Sequence, residues 1–174
     1  MAKNDSQIAA ICDAGPIIHL DELESLDLLL DFNHVIIPKS VQTEVIKHRP
    51  KAWQHSQVVF KVIETASLPE EKLLILSNAL LLDKGEVESL SLIQQTPNAI
   101  FLTDDAAARL AGEELGYWVH GTVGIVLRAI RKKRRTAKEV VEMLHKIPKE
   151  TTLFLRPALL EEIIQKVKRE YSLK

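Results

Sequence analysis

The sequence predicts an α/β protein, a parallel sheet covered by helices on both faces. Short β-branched or apolar runs alternate along the chain with longer segments of helical periodicity, the order that makes each helix a crossover between parallel strands. Several runs lack polar/apolar alternation, as expected of strands buried on both faces. The 174 residues contain no internal repeat, low-complexity segment or Gly/Ser linker. One domain over 1–174 is therefore expected, with a core at about 7–130 and carboxyl-terminal helices at about 131–172.

The first strand is expected at 7–12 (QIAAIC), and Asp13 ends it. Pro16 suits the first turn of a helix whose apolar positions Ile17, Leu20, Leu23 and Leu26 recur at helical spacing. The second strand is expected at 34–37, after which Pro38 opens a helix carrying Val41 and Val45. A third strand follows at 57–63 (QVVFKVI), then a Leu-rich helix at about 70–82. Asp83 opens another helix with Val87, Leu90 and Ile93 on one face. The fourth strand is expected at 99–102 with a helix at 104–115, and the fifth at 117–119. Helices at 121–133, 137–146 and 157–171 complete the chain.

Composition narrows the function classes. Hydrophobic side chains make up 46% of the chain, enough for a core, yet the Leu-rich stretch Leu73–Leu82 falls well short of the ~20 residues of a membrane span. The apolar stretch Ile8–Cys12 is cut off by Asp13 before it could serve as a signal-peptide core. A single cysteine, Cys12, can neither close an internal disulfide nor hold zinc alone, which suits a cytoplasmic protein. Charge is divided unevenly. Residues 1–120 hold 9 Lys and Arg against 18 Asp and Glu, whereas residues 121–174 hold 14 against 6. An acidic site and a basic surface are thus expected from different parts of one chain.

In an open α/β sheet, helices that follow strands begin at the carboxyl edge, where ligands bind. That edge collects acids. Asp13 follows the first strand, Asp104 and Asp105 follow the fourth, Glu86 lies in the first turn of the Asp83 helix and Glu44 about two turns into the Pro38 helix. Each also has a local explanation. Asp13 suits a turn or helix cap, Asp104 and Asp105 suit a first helical turn, and Asp83 with Glu86 has capping-box spacing. Together, however, they can converge, and clustered carboxylates repel one another unless a cation lies among them. Oxygen ligands without His or Cys favour Mg²⁺ or Mn²⁺, ions that also bind phosphate oxygens. Phosphodiester hydrolysis follows as the expected chemistry. A phosphoacceptor receiver domain also places acids at strand ends, but it needs a lysine after the fifth strand, where this chain reads Tyr117-Trp118-Val119-His120-Gly121.

The ordered segments Asp13-Ala14-Gly15-Pro16-Ile17-Ile18, Ile37-Pro38-Lys39-Ser40-Val41-Gln42-Thr43-Glu44-Val45, Gly85-Glu86-Val87-Glu88-Ser89-Leu90 and Leu102-Thr103-Asp104-Asp105 resemble PIN domains. The segments Ala108-Arg109-Leu110-Ala111, Leu115-Gly116 and Gly121-Thr122-Val123-Gly124-Ile125 are similar to one prokaryotic branch of that family, and the resemblance spans about 7–130. It implies a three-layer α/β/α sandwich with a mainly parallel sheet of about five strands, and a metal-dependent ribonuclease. Many prokaryotic members are VapC-like toxins of toxin–antitoxin pairs, which implies RNA as substrate and an antitoxin protein as partner. By the resemblance, Asp13, Glu44, Glu86 and Asp105 are the catalytic acids that hold Mg²⁺ or Mn²⁺, with Asp104 a further metal candidate. Where the family usually has Ser or Thr two residues after the first Asp, this chain has Gly15. The alternative expectation is thus a PIN-like nucleic-acid-binding or regulatory module of low or no turnover.

Arg131-Lys132-Lys133-Arg134-Arg135, with Arg128 one turn earlier, is a basic run near a helix end. It is expected either to complement the helix dipole or to bind nucleic-acid phosphates. Few aromatic residues accompany it, so base stacking is not indicated. Thr122 is expected to cap the next helix, Arg109 to pair with a site carboxylate or face water, and Trp53 and Trp118 to pack internally. His19, His34, His48, His55, His120 and His145 show no ligand spacing and are assigned to packing or surface. The apolar Leu73–Leu82 stretch is either deeply buried or a contact between two copies, so a homodimer is expected among the partners, with no membrane.

Overall fold

In a computed structural model, residues 8–55, 57–64 and 68–173 are described. Gln7, where the first strand is expected to begin, and the His55 side chain lie outside them. Five short strands, β1 (Ala10–Cys12), β2 (Val35–Pro38), β3 (Phe60–Ile63), β4 (Ile100–Leu102) and β5 (Val119–His120), form one sheet. Their order is β3-β2-β1-β4-β5 and every pairing is parallel.

Strand residues alternate between two separate cores. Ala10, Cys12, Val35, Ile37, Ile100 and Leu102 pack into one cluster, and Ile11, Ile36 and Phe101 into the other. Both faces are covered, which is why β1, β2 and β4 read as continuous apolar runs. The first cluster is closed by α1 (Ala14–Glu22), a 3₁₀ helix (Leu26–Asp31), α2 (Lys39–His48), α7 (Thr122–Arg131), α8 (Ala137–Glu150) and α9 (Pro157–Glu170). The second is closed by α4 (Glu71–Leu80), α5 (Lys84–Gln94) and α6 (Ala106–Glu114). A short helix, α3 (Pro50–His55), was not expected from the pattern. The three-layer α/β/α architecture is as expected.

Three local expectations change. The first helix stops at Glu22 and the chain turns through Glu24 at positive φ, so Leu26 begins the 3₁₀ helix instead of extending α1. Helix α8 runs to Glu150, past Pro148. Although proline removes a ladder donor, fully buried Ile147 holds this turn against the core. Of the Leu-rich stretch, Leu73 is fully buried while Leu74, Ile75 and Leu81 are exposed, so only one part of it is core. The exposed part is the face to which the sequence assigned a contact between copies.

The topology fixes where a site can form. From β1 the chain moves outward to β2 and β3, then returns to the other side of β1 to lay down β4 and β5. Strands β1 and β4 are therefore neighbours whose outgoing connections diverge, which opens a crevice at their carboxyl ends. Asp13 and Thr103 are the first residues beyond those two ends.

Candidate active site

A cleft of about 320 Å³ at this switch point is lined by Asp13, Ala14, Gly15, His19, Glu44, Asp83, Glu86, Asp104, Asp105, Thr152, Leu153 and Phe154. All five acids singled out in the sequence meet there, joined by Asp83. Their surroundings differ, and so do their roles.

Asp13 occupies the N-cap position of α1, but its side chain makes no capping bond. Instead Oδ2 accepts a hydrogen bond from Thr103 Oγ1 at 3.1 Å, and the same hydroxyl accepts from the Asp105 N–H at 3.1 Å. Thr103, fully buried, thus ties the acid after β1 to the acid after β4. Asp13 itself is only 9% exposed. Burial lifts its pKa from 3.8 to about 6, with Glu44 and Asp83 adding repulsion and the Ala14 N–H and Thr103 hydroxyl opposing the rise.

Glu86 is both a cap and a cleft residue. Asp83 Oδ1 accepts from the Glu86 N–H at 2.9 Å, and Glu86 Oε2 accepts from the Asp83 N–H at 2.8 Å, the reciprocal capping box of α5. The carboxylate is nonetheless buried, and its pKa rises from 4.5 to about 7. Burial is the main cause, followed by repulsion from Asp83, Asp105 and Asp13, against the lowering effect of the Asp83 N–H. Asp105 caps α6, accepting through Oδ1 from the Ala107 and Ala108 N–H groups at 2.7 and 2.8 Å. It is exposed, as is Glu44 on α2.

Asp104 is held differently. Its Oδ1 accepts from the Thr122 N–H at 2.7 Å, and its Oδ2 bonds the Thr122 hydroxyl at 2.5 Å and His19 Nδ1 at 2.8 Å. Both oxygens are thereby committed to the first turn of α7 and to α1. Thr122 is accordingly not the cap of α7; Gly121 holds that position, and Asp104 supplies the acceptor from 18 residues away. His19, assigned to packing or surface, lines the cleft. Arg109 contacts no site carboxylate: it donates to the Val119 and Thr103 carbonyls at 3.2 and 3.3 Å, bracing the ends of β4 and β5, and lies 3.7 Å from Glu113.

The basic run is not a uniformly solvated row. Arg134 pairs with Asp31 at 2.8 Å and Arg135 with Asp27 at 2.8 and 2.9 Å, both on the 3₁₀ helix. Arg128 is buried and lies 5.3 Å from the centre of the Phe32 ring. Arg131, Lys132 and Lys133 sit at the end of α7 opposite the Thr122 turn. Arg131, Lys132 and Arg128 line a separate hollow with Ile8, Ile100, His120 and Trp118, a residue that is 69% exposed and not packed inside. There burial and the charges of Arg128, Arg109 and Arg131 lower the His120 pKa. Trp53 does pack, stacked on Phe60 at 5.0 Å.

Residues 9–169 match a family model described as a PIN domain. The chain belongs to the PIN-domain family. No curated protein and no solved structure matches it. The match extends past the 7–130 of the sequence resemblance and takes in α8 and most of α9. PIN domains are generally nucleases and typically use divalent metals.

Whether this PIN domain suits such an ion can be judged from its donors. The cleft offers carboxylate oxygens, two of them on buried acids with raised pKa values, and among the described residues no Lys or Arg lines it. A hard divalent cation is the counter-charge this donor set suits. Among the described residues, however, no three His, Cys, Asp or Glu side chains stand close enough together to ligate one ion. The donor chemistry fits such an ion, and holding one between three of these side chains would require them to move closer together.

Without metal, acidification should stabilise the protein. Asp13 and Glu86 hold protons in the folded chain up to about pH 6 and 7, whereas the unfolded chain releases them near 3.8 and 4.5. Between these limits the folded state binds more protons, so their contribution is largest below about pH 4 and is lost as pH rises through 6 to 7. The melting temperature in EDTA is expected to rise between pH 8 and pH 5.5, with Asp13 alone contributing on the order of 1 kcal/mol over that range. A flat or falling profile would overturn the burial argument.

Proposed function

We propose that this PIN domain is a Mg²⁺- or Mn²⁺-dependent ribonuclease. The observation that carries the reading is the convergence of Asp13, Glu44, Glu86 and Asp105 on one cleft at the topological switch point, with two of the four buried and held at raised pKa. These four would hold the ion, which when bound supplies an activated water and neutralises phosphate charge. Thr103 orients Asp13 and Asp105 relative to each other, while Asp104, saturated by Thr122 and His19, keeps α7 against the edge of the cleft. The test is cleavage of a labelled single-stranded RNA by purified protein in Mg²⁺ or Mn²⁺ and in EDTA. Cleavage in metal only is expected; none in either, or equal cleavage in EDTA, would refute the proposal.

The finer reading is a toxin restrained by an antitoxin encoded beside it, and its support is the resemblance to VapC-like proteins. Growth arrest on expression, relieved by the neighbouring reading frame, is what that reading requires. Its RNA contacts would come from the exposed cations of the basic run, Arg131 and Lys133, while Arg128 lies against Phe32 and Arg134 and Arg135 pair with Asp31 and Asp27.

A second reading, a module of low turnover, is favoured by Gly15. A Cβ built there would lie 3.5 Å from Asp104 Cβ and 3.7 Å from both Asp104 Oδ2 and His19 Cε1, ordinary contact distances. Nothing steric therefore demands glycine, and a serine would fit with its hydroxyl among the site residues. Gly15→Ser is expected to fold normally, gain up to about 1 kcal/mol from replacing a helical glycine, and raise cleavage severalfold if the missing hydroxyl limits turnover. Unchanged cleavage in a stable Gly15→Ser protein would remove this position from the argument.

A further inference from the structure

Residues 151–156, which join α8 to α9, have no regular structure, and Thr152, Leu153 and Phe154 among them line the cleft. Their side chains alternate. Leu153 and Leu155 are partly buried against the first core cluster, and Phe154 between them is 85% exposed. The chain just before Phe154 is tied down: Thr152 N–H and Oγ1 donate to the Glu22 carboxylate at the end of α1 at 2.8 and 3.1 Å, and Thr151 Oγ1 donates to the Ile147 carbonyl at 2.7 Å. A lone exposed apolar residue is ordinary on a protein surface. This one lines the same cleft as Asp13, Glu44, Glu86 and Asp105, on a segment anchored just before the ring, and among the described residues it is the only Phe, Tyr or Trp lining the cleft.

We infer that Phe154 is a stacking platform for an unpaired nucleobase of the substrate, next to the phosphodiester held at the acidic site. The inference rests on the nuclease reading above and adds to it a residue that holds a base of the substrate. A phosphate drawn to a cation among the carboxylates brings the neighbouring base within one nucleotide's reach of any group lining the same small cleft. There the base finds one apolar planar surface, and a ring offers its face to an unstacked base but not to one already paired and stacked in a helix. Stacking tolerates any base, so Phe154 supplies affinity and register without sequence preference. The scarcity of aromatic residues beside the basic run pointed away from stacking there, and a single ring placed at the cleft by the fold leaves no mark near that run.

The test compares Phe154→Ala, Phe154→Leu and Phe154→Tyr in the full chain, by cleavage of single-stranded RNA and by binding of labelled RNA in the cleavage-silent Asp13→Asn background. The Ala and Leu variants are expected to lose about tenfold in affinity and in kcat/KM, with melting temperatures unchanged, while the Tyr variant stays within twofold of the parent. An abasic nucleotide walked along the RNA should find one position where the parent loses as much as Phe154→Ala does, and where the two losses do not add. Wild-type protein that neither binds nor cleaves the unmodified RNA refutes the nuclease reading and this inference with it. Wild-type protein that cleaves, with Ala or Leu variants within twofold of it, refutes the stacking role alone and leaves the ring to a protein contact.

Discussion

Asp13→Asn is expected to raise the melting temperature of the metal-free protein and to lower RNA cleavage by about a hundredfold or more. The two effects share one cause. At neutral pH the folded chain must keep a charge on a carboxylate that burial and the nearby Glu44 and Asp83 disfavour, and replacing it with an amide removes that burden. The amide oxygen can still accept from Thr103, so the local geometry survives. A gain of roughly 1–3 kcal/mol, or about 2–10 °C for a chain of this size, is expected in EDTA. With excess Mn²⁺ the order should reverse, because a ligand bound only by the folded state stabilises by mass action and the variant has lost part of its affinity. The same lost ligand weakens transition-state charge stabilisation, which is the source of the drop in cleavage. Equal metal-induced shifts in both proteins would remove Asp13 from the metal site. A fall of about 0.5–2 kcal/mol without metal would mean that it serves only as a cap after all.

Gly121→Ala should be the most damaging small substitution at the site. A Cβ at this position would stand 2.5 Å from Asp104 Oδ1, 3.0 Å from Arg109 Nη2 and 3.2 Å from the Thr103 carbonyl oxygen. The carbonyl belongs to the backbone at the end of β4 and cannot yield. The Asp104 carboxylate must then move, giving up bonds to the Thr122 N–H and hydroxyl that hold α7 to the carboxyl edge of the sheet. Hydrogen bonds to a charged group contribute about 1.5–3 kcal/mol each, and part of that is recovered by water at this half-buried position. A loss of about 2–4 kcal/mol is expected, seen as a melting temperature lower by about 5–15 °C. Because the damage is routed through Asp104, Gly121→Ala should cost much less in an Asp104→Ala background. Additive losses would show that the clash with the Thr103 carbonyl dominates instead.

The acids were legible in the sequence because they stand where strands end and helices begin. Those boundaries are written in local patterns: apolar runs for β1, β2 and β4, prolines before helices, and the three-residue spacing of Asp83 and Glu86 that the structure closes as a capping box. From alternation of strand and helix, a parallel sheet with a binding edge followed, and with it the expectation that the acids after β1 and β4 would face each other. Where propensity and packing disagreed, as at Pro148 or after Glu22, local reading misplaced a boundary by a turn and left the architecture intact.

What the tertiary structure decided is which acid does what. Thr103 reaches Asp13 across 90 residues, His19 reaches Asp104 across 85, and Glu22 holds Thr152 across 130. Arg134 and Arg135, expected either to complement the helix dipole or to bind phosphates, find Asp31 and Asp27 at separations of 103 and 108. Such pairings have no periodic signature, since a helix cap or an amphipathic face is set by neighbours within a turn, whereas these depend on which strands the crossovers bring side by side. The sequence by itself therefore determined the fold class, the sheet edge and the set of carboxylates gathered there. Only the folded chain separated Asp104, saturated as an anchor for α7, from Asp13 and Glu86, whose burial raises their pKa values and suits them to a cation, because burial and hydrogen-bond saturation are properties of packed surroundings and not of the residues.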